Sequence, residues 1–423
     1  MEFRSVRGMD DMLPQDAWIW HKLESGAREI FEASGYSEIR TPILEDTAVF
    51  TRGIGQATDI VSKEMFTFLD RKERSLTMRP EGTAPIVRAY IEHALLNVAP
   101  ISKLYYIGPM FRAERPQKGR LRQFHQIGAE IIGTNSPFAD IESIMQVHAM
   151  LALFGLKDFR IKLNSLGCRA DKAEFADKLK DYLKDKAAGL CDDCRSRIDK
   201  NVLRVLDCKN EGCGSILTGA PGVADNLCGA CGEHYEKVKL NLRSLGIGFE
   251  ETKNLVRGLD YYTGTVFEIT HASIGAQDAI GAGGRYDNLV KEMGGADIGA
   301  VGYALGMERI IISLLSQDIA PGAGKKVFIA TLGDEAKLEG MKMARNIRDK
   351  VDMEGLAVLT DVGETSLKSQ MRSADKSGAD IVIIMGEDEL KQGKAIVKDM
   401  SGKVPQAEVS IDAIAEEVRK RLC

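Results

Sequence analysis

Ser102-Lys-Leu-Tyr-Tyr-Ile-Gly108 and Gln126-Ile-Gly-Ala-Glu-Ile-Ile-Gly133 are short runs rich in β-branched, aromatic and aliphatic residues. Such runs are typical of β-strands. The segment between them, residues 112–122, holds five basic residues and a single acid, Glu114. We therefore predict a hairpin with a long charged loop. Charge alone favours an ordinary solvated loop at this place.

The segment before this hairpin has a helical pattern that starts near Ala17. Its apolar members are Ile19, Leu23, Ala27 and Ile30. Gly35 stands where a left-handed helix cap would lie, so we predict a long amphipathic helix that ends there. Residues 36–45 follow as an extended segment. Its Pro42 cannot donate to a neighbouring strand, which favours a place at a strand edge or at an interface.

The segment after the hairpin contains a further strand. Thr265, Phe267 and Ile269 alternate with Val266 and Glu268. This alternation is typical of a strand with one buried face. Together with the hairpin it predicts a mixed α+β core built on an antiparallel sheet.

Two further regions differ in texture from this core. Residues 169–246 are Lys/Asp-rich, helical in pattern and interrupted by cysteines, which indicates an inserted subdomain. Residues 318–325 form a Pro/Gly linker, after which short apolar strands alternate with helical stretches. The predicted strands are 327–332, 357–362 and 381–385, and the predicted helices are 335–351 and 366–377. This order predicts a small α/β domain with a largely parallel sheet. The predicted domains are a core of residues 1–168 and 247–318, an insertion of residues 169–246 and a C-terminal domain of residues 326–423.

The composition is that of a soluble globular chain of 423 residues, with 44% hydrophobic and 28% charged residues. We expect no membrane span, because no apolar run approaches the roughly 20 residues that a spanning helix needs. The charged N-terminal segment lacks the apolar stretch of a secretory signal, so we expect a cytoplasmic protein. The net charge of −5 means that any RNA contact must come from local basic patches.

Nucleotide binding, if present, cannot use the common glycine-rich phosphate loops. The chain has no G-x-x-x-x-G-K-[ST] motif and no G-x-G-x-x-G between a strand and a helix, and residues 281–287 (Gly-Ala-Gly-Gly-Arg-Tyr-Asp) fit neither spacing. Arginines would have to hold the phosphates, which suits their planar, permanently charged fork. Four arginines stand in distinctive contexts: Arg79 in Met-Arg-Pro-Glu-Gly-Thr, Arg112 in Phe-Arg-Ala-Glu-Arg-Pro, Arg257 in Val-Arg-Gly-Leu-Asp-Tyr-Tyr and Arg309 in Ala-Leu-Gly-Met-Glu-Arg.

Taken in order, these segments resemble the three signature motifs of the class II aminoacyl-tRNA synthetases. Motif 1 matches the long helix and residues 35–45, motif 2 matches residues 105–133 and motif 3 matches residues 302–312. Residues 255–268 and 281–287 look like the pair of blocks that marks the histidine-specific members. The resemblance runs from residues 7–14 to the C-terminal domain. It implies a class II antiparallel-sheet catalytic core with a helical insertion and a C-terminal α/β anticodon-binding domain.

The resemblance implies ATP-dependent ligation of L-histidine to tRNA(His) through a histidyl-adenylate, with release of AMP and diphosphate. The residues it assigns to histidine binding are Glu81, Gly82, Thr83, Arg112, Gln126, Glu130, Arg257, Tyr261 and Tyr262. Glu81, Thr83 and Gln126 would hold the α-ammonium group, because carboxylate and neutral acceptors stabilise a cation. Glu130 and Tyr262 would bind the imidazole nitrogens.

The same resemblance implies an ATP site formed by Arg112, Glu114, Phe124 and Arg309, with Mg2+ bridging phosphate oxygens. The implied catalytic residues are Arg112, Arg257 and Arg309, with Arg257 between the histidine carboxylate and the α-phosphorus. In this family the motif 2 loop faces the tRNA acceptor end. The implied tRNA contacts are Arg115, Gln117, Lys118 and Arg120.

Cysteines cluster in the insertion, where six of the eight lie between Cys191 and Cys231. Two C-x-x-C units, Cys191/Cys194 and Cys228/Cys231, could place four thiolates around a structural Zn2+. The family pattern does not require zinc here, and reduced cysteines also serve as small hydrophobic residues. Both interpretations stay open at this point.

A homodimer is implied through motif 1. The main alternative function is a catalytically inactive, histidine-sensing regulatory paralogue. Such a protein could lose the arginines that bind ATP or the anticodon domain, and this sequence keeps both. A zinc-ribbon adaptor is a third alternative, but the cysteine region is a small part of the chain.

Overall fold

A computed structural model describes residues 3–55, 58–208, 210–275, 278–317, 319, 324–353 and 355–422. The chain divides into two compact units, residues 1–320 and 321–423. Most of the predicted linker, residues 318 and 320–323, lies outside the described residues.

The strands are β1 Ser37–Glu38, β2 Leu44–Asp46, β3 Phe66–Leu69, β4 Ser75–Met78, β5 Ser102–Phe111, β6 Gln123–Ile132, β7 Arg160–Ser165, β8 Glu250–Glu251, β9 Thr263–Thr270, β10 Ala279–Arg285, β11 Ala300–Gly306, β12 Lys326–Thr331, β13 Ala357–Thr360, β14 Ile381–Met385, β15 Lys394–Asp399 and β16 Ala407–Ser410. The α-helices are α1 Ala17–Ala33, α2 Thr47–Gly53, α3 Thr83–Glu92, α4 Pro137–Phe154, α5 Arg169–Lys184, α6 Asp192–Lys200, α7 Glu211–Leu217, α8 Gly229–Ser244, α9 Leu289–Glu292, α10 Met307–Leu315, α11 Asp334–Lys350, α12 Leu367–Ser377, α13 Glu387–Lys391 and α14 Ile414–Leu422.

The first unit is built on an eight-stranded sheet with the order β1-β5-β6-β11-β10-β9-β7-β8. Its pairs are antiparallel except at the two edges, where β1 joins β5 and β8 joins β7 in parallel. The predicted hairpin is confirmed as β5 and β6, which pair over their whole length. A smaller sheet has the order β2-β4-β3, and its strands come between β1 and β5 in the sequence.

Both faces of the large sheet are covered. Tyr105 and Ile131 belong to a core formed with α1, α4 and α10, while Tyr106 and Ile132 belong to a second core on the other face. The alternation follows from the two-residue period of a strand. The prediction that strand β9 has one exposed face is therefore wrong: Val266 and Phe267 are both fully buried.

The predicted first helix is confirmed as α1, and Gly35 adopts φ +74° after its end. The extended segment 36–45 is not one strand. It gives β1 to the edge of the large sheet and β2 to the small sheet, and Pro42 lies between them.

The insertion is helical, as predicted, and consists of α5 to α8. It does not form a separate core. Phe175 and Leu179 of α5 pack in the same cluster as Tyr262, while Val238 and Leu242 of α8 pack in the cluster of α1. No helix in the described ranges is long and apolar enough to cross a membrane.

The second unit holds a five-stranded sheet with the order β13-β12-β14-β15-β16. The three predicted strands are confirmed with parallel pairing, and the two predicted helices are α11 and α12. Strands β15 and β16 add antiparallel pairs, which the predicted, largely parallel sheet did not include.

Candidate active site

A cavity of about 630 Å³ opens against the large sheet of the first unit. Arg112, Arg257 and Arg309 all line it, although they come from the end of β5, the segment before β9 and the start of α10. Of the residues predicted to bind histidine or ATP, Glu81, Thr83, Glu114, Phe124, Gln126, Tyr261 and Tyr262 line the same cavity. The structure thus brings together side chains from five separate stretches of sequence.

The Arg112 guanidinium is held through its Nε atom, and its two Nη groups remain able to bind a ligand. Its Nε donates to the Pro80 carbonyl at 2.9 Å, and its guanidinium carbon lies 5.1 Å from the centroid of the Phe124 ring. The carboxylate of Glu114 is 3.9 Å from Nη1. A cation stacked on an aromatic ring and next to a carboxylate keeps a fixed direction, which suits a phosphate-binding group.

Arg257 is fixed by one partner. Its Nη1 donates to Oε2 of Glu268 at 2.6 Å, and both side chains are partly buried. Among the residues that the structure describes, none provides a hydrogen-bond partner for its buried Nε atom. A buried donor without an acceptor costs about 1–3 kcal/mol. A polar ligand that accepts a hydrogen bond from this Nε atom would remove that cost.

Arg309 is anchored to the motif 2 loop. Its Nε donates to the Gly119 carbonyl at 2.7 Å, and Nη1 donates to the Ala279 carbonyl. Burial, followed by the nearby charge of Arg120, lowers the pKa of the Arg309 guanidinium. Arginine stays charged nonetheless, so the loop and α10 together concentrate positive charge at one side of the cavity.

Glu81 serves as a helix cap as well as a cavity wall. Its two carboxylate oxygens accept from the backbone N–H groups of Thr83 at 2.7 Å and Ala84 at 2.9 Å, at the start of α3. Burial raises the pKa of Glu81, and these hydrogen bonds lower it. The carboxylate keeps lone pairs that can accept from a ligand cation.

Glu130 lies deeper, beneath the cavity. Its Oε1 accepts from the Thr83 hydroxyl at 2.7 Å, and its Oε2 accepts from the Tyr286 hydroxyl. Burial raises the pKa of Glu130 to about 8, while these two hydrogen bonds oppose the rise. Glu130 does not itself line the cavity, whereas its partners Thr83 and Tyr286 do.

Two glycines leave space for neighbouring side chains at this site. A Cβ on Gly302, which lies opposite Glu130 in the sheet, would be 1.6 Å from Oε2 of Glu130. A Cβ on Gly82 would be 2.4 Å from the Tyr106 ring. Gly82 therefore leaves the space that the Tyr106 ring occupies, and it does not line the cavity.

Several cavity groups were missed from the sequence. Tyr106 and Tyr303 line the cavity, and their buried hydroxyls have no hydrogen-bond partner among the described residues. The predicted Gln126 likewise has a buried Oε1 without a described partner. Glu268 pairs with Arg257. Tyr106 and Glu268 both stand inside the motif segments, but strand alternation does not distinguish a residue facing a cavity from one facing a packed core.

The fourth distinctive arginine does not reach the cavity. Arg79 is buried, its Nε donates to the Pro109 carbonyl at 2.9 Å, and its Nη1 donates to the Thr41 carbonyl at 2.9 Å. It braces β5 against the segment that follows β1.

The predicted tRNA contacts lie on the motif 2 loop. Arg115, Gln117 and Lys118 are exposed, whereas Arg120 lines the cavity and pairs with Glu114 at 3.1 Å. Lys118 donates to the Ser273 carbonyl at 3.1 Å.

The predicted zinc ligands do not form one group. Cys191 and Cys194 cluster with Cys208 and Cys213, whereas Cys228 and Cys231 cluster with Cys168 and Asp171. The prediction that the two C-x-x-C units share an ion is therefore wrong, because spacing gives the local pairs but not which pairs meet in the fold.

Comparisons with known proteins point in one direction. A family model described as histidyl-tRNA synthetase matches residues 8–310, and one described as anticodon binding domain matches residues 326–421. A histidine–tRNA ligase of Thermosipho melanesiensis is 45% identical over 421 residues, which is 99% of each chain. The structure of apo histidyl-tRNA synthetase from S. aureus superposes with a TM-score of 0.81 at 34% identity, over 99% of this chain and 100% of that one. A Bacillus halodurans chain described as an ATP phosphoribosyltransferase regulatory subunit/histidyl-tRNA synthetase shares the fold, with a TM-score of 0.68 and 22% identity over 91% of this chain and 99% of that one.

Proposed function

This chain belongs to the histidyl-tRNA synthetase family, and we propose that it ligates L-histidine to tRNA(His) through a histidyl-adenylate, releasing diphosphate and AMP. The observation that carries the proposal is the convergence of Arg112, Arg257 and Arg309 on one cavity. Three fixed cations suit a folded triphosphate, and the polar groups beside them suit a polar amino acid.

The first step needs no general base, because the histidine carboxylate is already the nucleophile. One of its oxygens attacks the α-phosphorus of ATP, a new C–O–P link forms, and the bond from the α-phosphorus to the diphosphate oxygen breaks. The electron pair leaves with the diphosphate. Arg257 stands between the attacking carboxylate and the α-phosphoryl group and stabilises the charge that builds up there. A ligand oxygen would also give its buried Nε an acceptor.

ATP is held at the opposite side of the same cavity. Arg112 binds the α-phosphate and Arg309 the γ-phosphate, while Phe124 stacks on the adenine and Glu114 accepts from its exocyclic amine. The Mg2+ counterion of ATP would supply positive charge beside the phosphate oxygens. The cavity carboxylates, such as Glu268, are oxygen donors of the kind that Mg2+ prefers.

Histidine occupies the polar end. Its α-ammonium group is held by Glu81, Thr83 and Gln126. The buried Oε1 of Gln126 has no partner among the described residues and can accept a hydrogen bond from this group. The imidazole is bound by Tyr262 and by Glu130, which is reached through its partners Thr83 and Tyr286. Tyr261 lines the pocket. Burial raises the pKa of Tyr262 to about 12, so its hydroxyl stays neutral and can donate or accept. A pocket of this kind rejects apolar amino acids because they leave its buried groups unpaired.

A tRNA 3′-terminal hydroxyl then attacks the histidyl carbonyl carbon, the bond from that carbon to the AMP phosphate oxygen breaks, and the hydroxyl proton passes to the departing phosphate or to water. Exposed Arg115, Gln117 and Lys118, with Arg120, contact the acceptor end from the motif 2 loop, and the C-terminal domain binds the anticodon region. We further propose that the chain works in the cytoplasm as a homodimer formed through motif 1. Any zinc in the insertion is structural, because four thiolates leave no open coordination position for chemistry.

Histidine-dependent exchange of labelled pyrophosphate into ATP tests the enzymatic function against the regulatory alternative. Histidine should stimulate exchange far above every other amino acid, whereas a histidine sensor would bind histidine without exchange. Arg257→Ala should lower kcat/KM by at least about a hundredfold, the usual loss when a charge-stabilising group is removed.

A matched arginine controls for general damage. Arg243→Ala removes a guanidinium that pairs with Glu251 at 3.2 Å at an exposed position away from the cavity, and it should keep near wild-type exchange. Failure of histidine to stimulate exchange in the wild-type chain would refute the proposed function.

A further inference from the structure

Four cysteines of the insertion meet at one point. The Sγ atoms of Cys191, Cys194, Cys208 and Cys213 all lie within 4.8 Å of one another. They come as two pairs, Cys191-x2-Cys194 at the start of α6 and Cys208-x4-Cys213 at the start of α7. Two short-spaced pairs brought together by a turn of the chain are the usual source of a four-cysteine metal site.

The distances suit a metal. Four sulfurs placed tetrahedrally at Zn–S bonds of about 2.3 Å are about 3.8 Å apart, and the Sγ atoms of Cys191 and Cys208 are 3.8 Å apart. The Cys191 backbone N–H donates to Sγ of Cys213 at 3.2 Å. Such a donor stabilises a thiolate that is bound to a metal.

The surroundings close the group on one side. Cys194 and Cys213 are fully buried in an apolar cluster that contains Leu190, Val205 and Leu217. Cys191 and Cys208 are only partly buried, so an ion could enter from their side. All four are free cysteines.

The second cluster has weaker ligands. Its Asp171 carboxylate already accepts from the backbone N–H groups of Cys168 and Cys228, both at 3.1 Å, and thereby caps the starts of two helices. Its Cys228 thiol is exposed. The soft, four-sulfur donor set of the first cluster favours zinc more strongly.

The chain between the two cysteine pairs, residues 195–207, forms part of the active-site wall. Arg197, Arg204 and Leu206 line the large cavity. Arg204 donates to the backbone carbonyl of Arg257 at 3.3 Å and to the Asp59 carboxylate at 2.9 Å. Asn201 donates to the Asp260 carboxylate at 2.8 Å.

We propose that Cys191, Cys194, Cys208 and Cys213 bind one Zn2+ in a closed site that fixes both ends of residues 195–207 against the segment carrying Arg257. The ion is structural for the insertion and positions Arg204 and Asn201, which hold residues 257–260 in place.

Zinc content tests the site. The full chain, a Cys191→Ser/Cys208→Ser variant and a Cys228→Ser/Cys231→Ser control are dialysed and their zinc measured by atomic emission. The first variant replaces the two partly exposed ligands and should hold one equivalent less than wild type, while the control should keep that equivalent. Equal zinc in wild type and first variant, or none in wild type after incubation with Zn2+, overturns the proposal.

A second measurement does not require that variant to fold. The control variant, in which the first cluster is intact, is stripped of metal and titrated with Co2+. One equivalent should produce the intense thiolate-to-cobalt and tetrahedral d–d absorption bands of a four-sulfur site. A weak octahedral spectrum, or four thiols already lost to disulfides, overturns the assignment.

Hydrogen–deuterium exchange tests the coupling and does not depend on the proposed reaction. Removing zinc from the wild-type chain should accelerate amide exchange of residues 255–262 by at least about tenfold, with little change in α10. Unchanged exchange in residues 255–262 contradicts the positioning role while the zinc measurement decides the site separately.

Discussion

Glu130 lies beneath the large cavity, and its burial there has an energetic cost. It is fully buried and surrounded by hydroxyl donors from Thr83 and Tyr286, with no cation paired to it among the described residues. Hydroxyl donors compensate only part of the cost of burying a carboxylate, so its pKa is raised from 4.5 to about 8. A bound imidazole could offset that cost in the complex.

A pH-dependent stability penalty should therefore arise at Glu130. Between pH 4.5 and about 8 the folded chain holds a proton on this carboxyl that the unfolded chain has released, so stability falls as pH rises through this range. Glu130→Gln cannot ionise. In urea unfolding, the stability of the variant relative to wild type should rise by about 2–3 kcal/mol from pH 6 to pH 9, given about 1.4 kcal/mol per unit. Parallel pH profiles for the two chains would contradict the raised pKa.

Single residues were predictable from sequence to the extent that motifs carry them. The positions of Arg112, Arg257 and Arg309 were anticipated, and they do share a cavity. The partner of Arg257, Glu268, was not, since it lies in a strand where alternate residues face different cores and nothing in the sequence marks which acid meets which arginine. Glu81 shows a second limit: the residue caps α3 and lines the cavity at once.

At the scale of elements, helix α5 supports the backbone of the proposed histidine pocket. Its Lys172 donates to the backbone carbonyls of Asp260 at 3.2 Å and Tyr262 at 2.9 Å. Burial lowers the pKa of this lysine. These hydrogen bonds set the path of the backbone that presents Tyr261 and Tyr262 to the cavity.

Lys172→Met should loosen that backbone while keeping the apolar stem of the side chain. We expect the KM for histidine in pyrophosphate exchange to rise about tenfold, with a smaller change in kcat, because the loss of hydrogen bonds to a charged group costs about 1.5–3 kcal/mol. The control is Lys178→Met on the same helix, whose Nζ bonds Asn226 and Glu174 at the surface. Equal histidine KM values in both variants would show that α5 does not position the pocket.

Elements were more predictable than their partners. Helix α1 and the β5–β6 hairpin follow from local periodicity and apolar runs, and both are observed. The predicted grouping of the cysteines was wrong because the grouping depends on α6 meeting α7 and α5 meeting α8, which is a tertiary property. The same holds for segment 36–45, whose two ends join different sheets.

At the scale of the molecule, the large cavity and the residues matched by the anticodon-binding family model belong to different units. All lining residues of the large cavity lie between positions 59 and 309, within the first unit. The second unit has its own apolar cores, built around Val327 and Ile383 on one side of its sheet and Phe328 and Val382 on the other. Each unit therefore has the packing that independent folding requires.

A chain that ends at residue 320 should accordingly retain histidine-dependent pyrophosphate exchange within about fivefold of the full chain, because every described residue that lines the cavity belongs to the first unit. Charging of tRNA(His) should fall by at least about a hundredfold in kcat/KM, since the truncated chain loses one of two linked contact regions for the tRNA. Both activities are measured on the same preparation. A truncated chain that melts cooperatively but has lost exchange would place part of the adenylation machinery in the second unit, and one that charges tRNA normally would remove that unit from tRNA recognition.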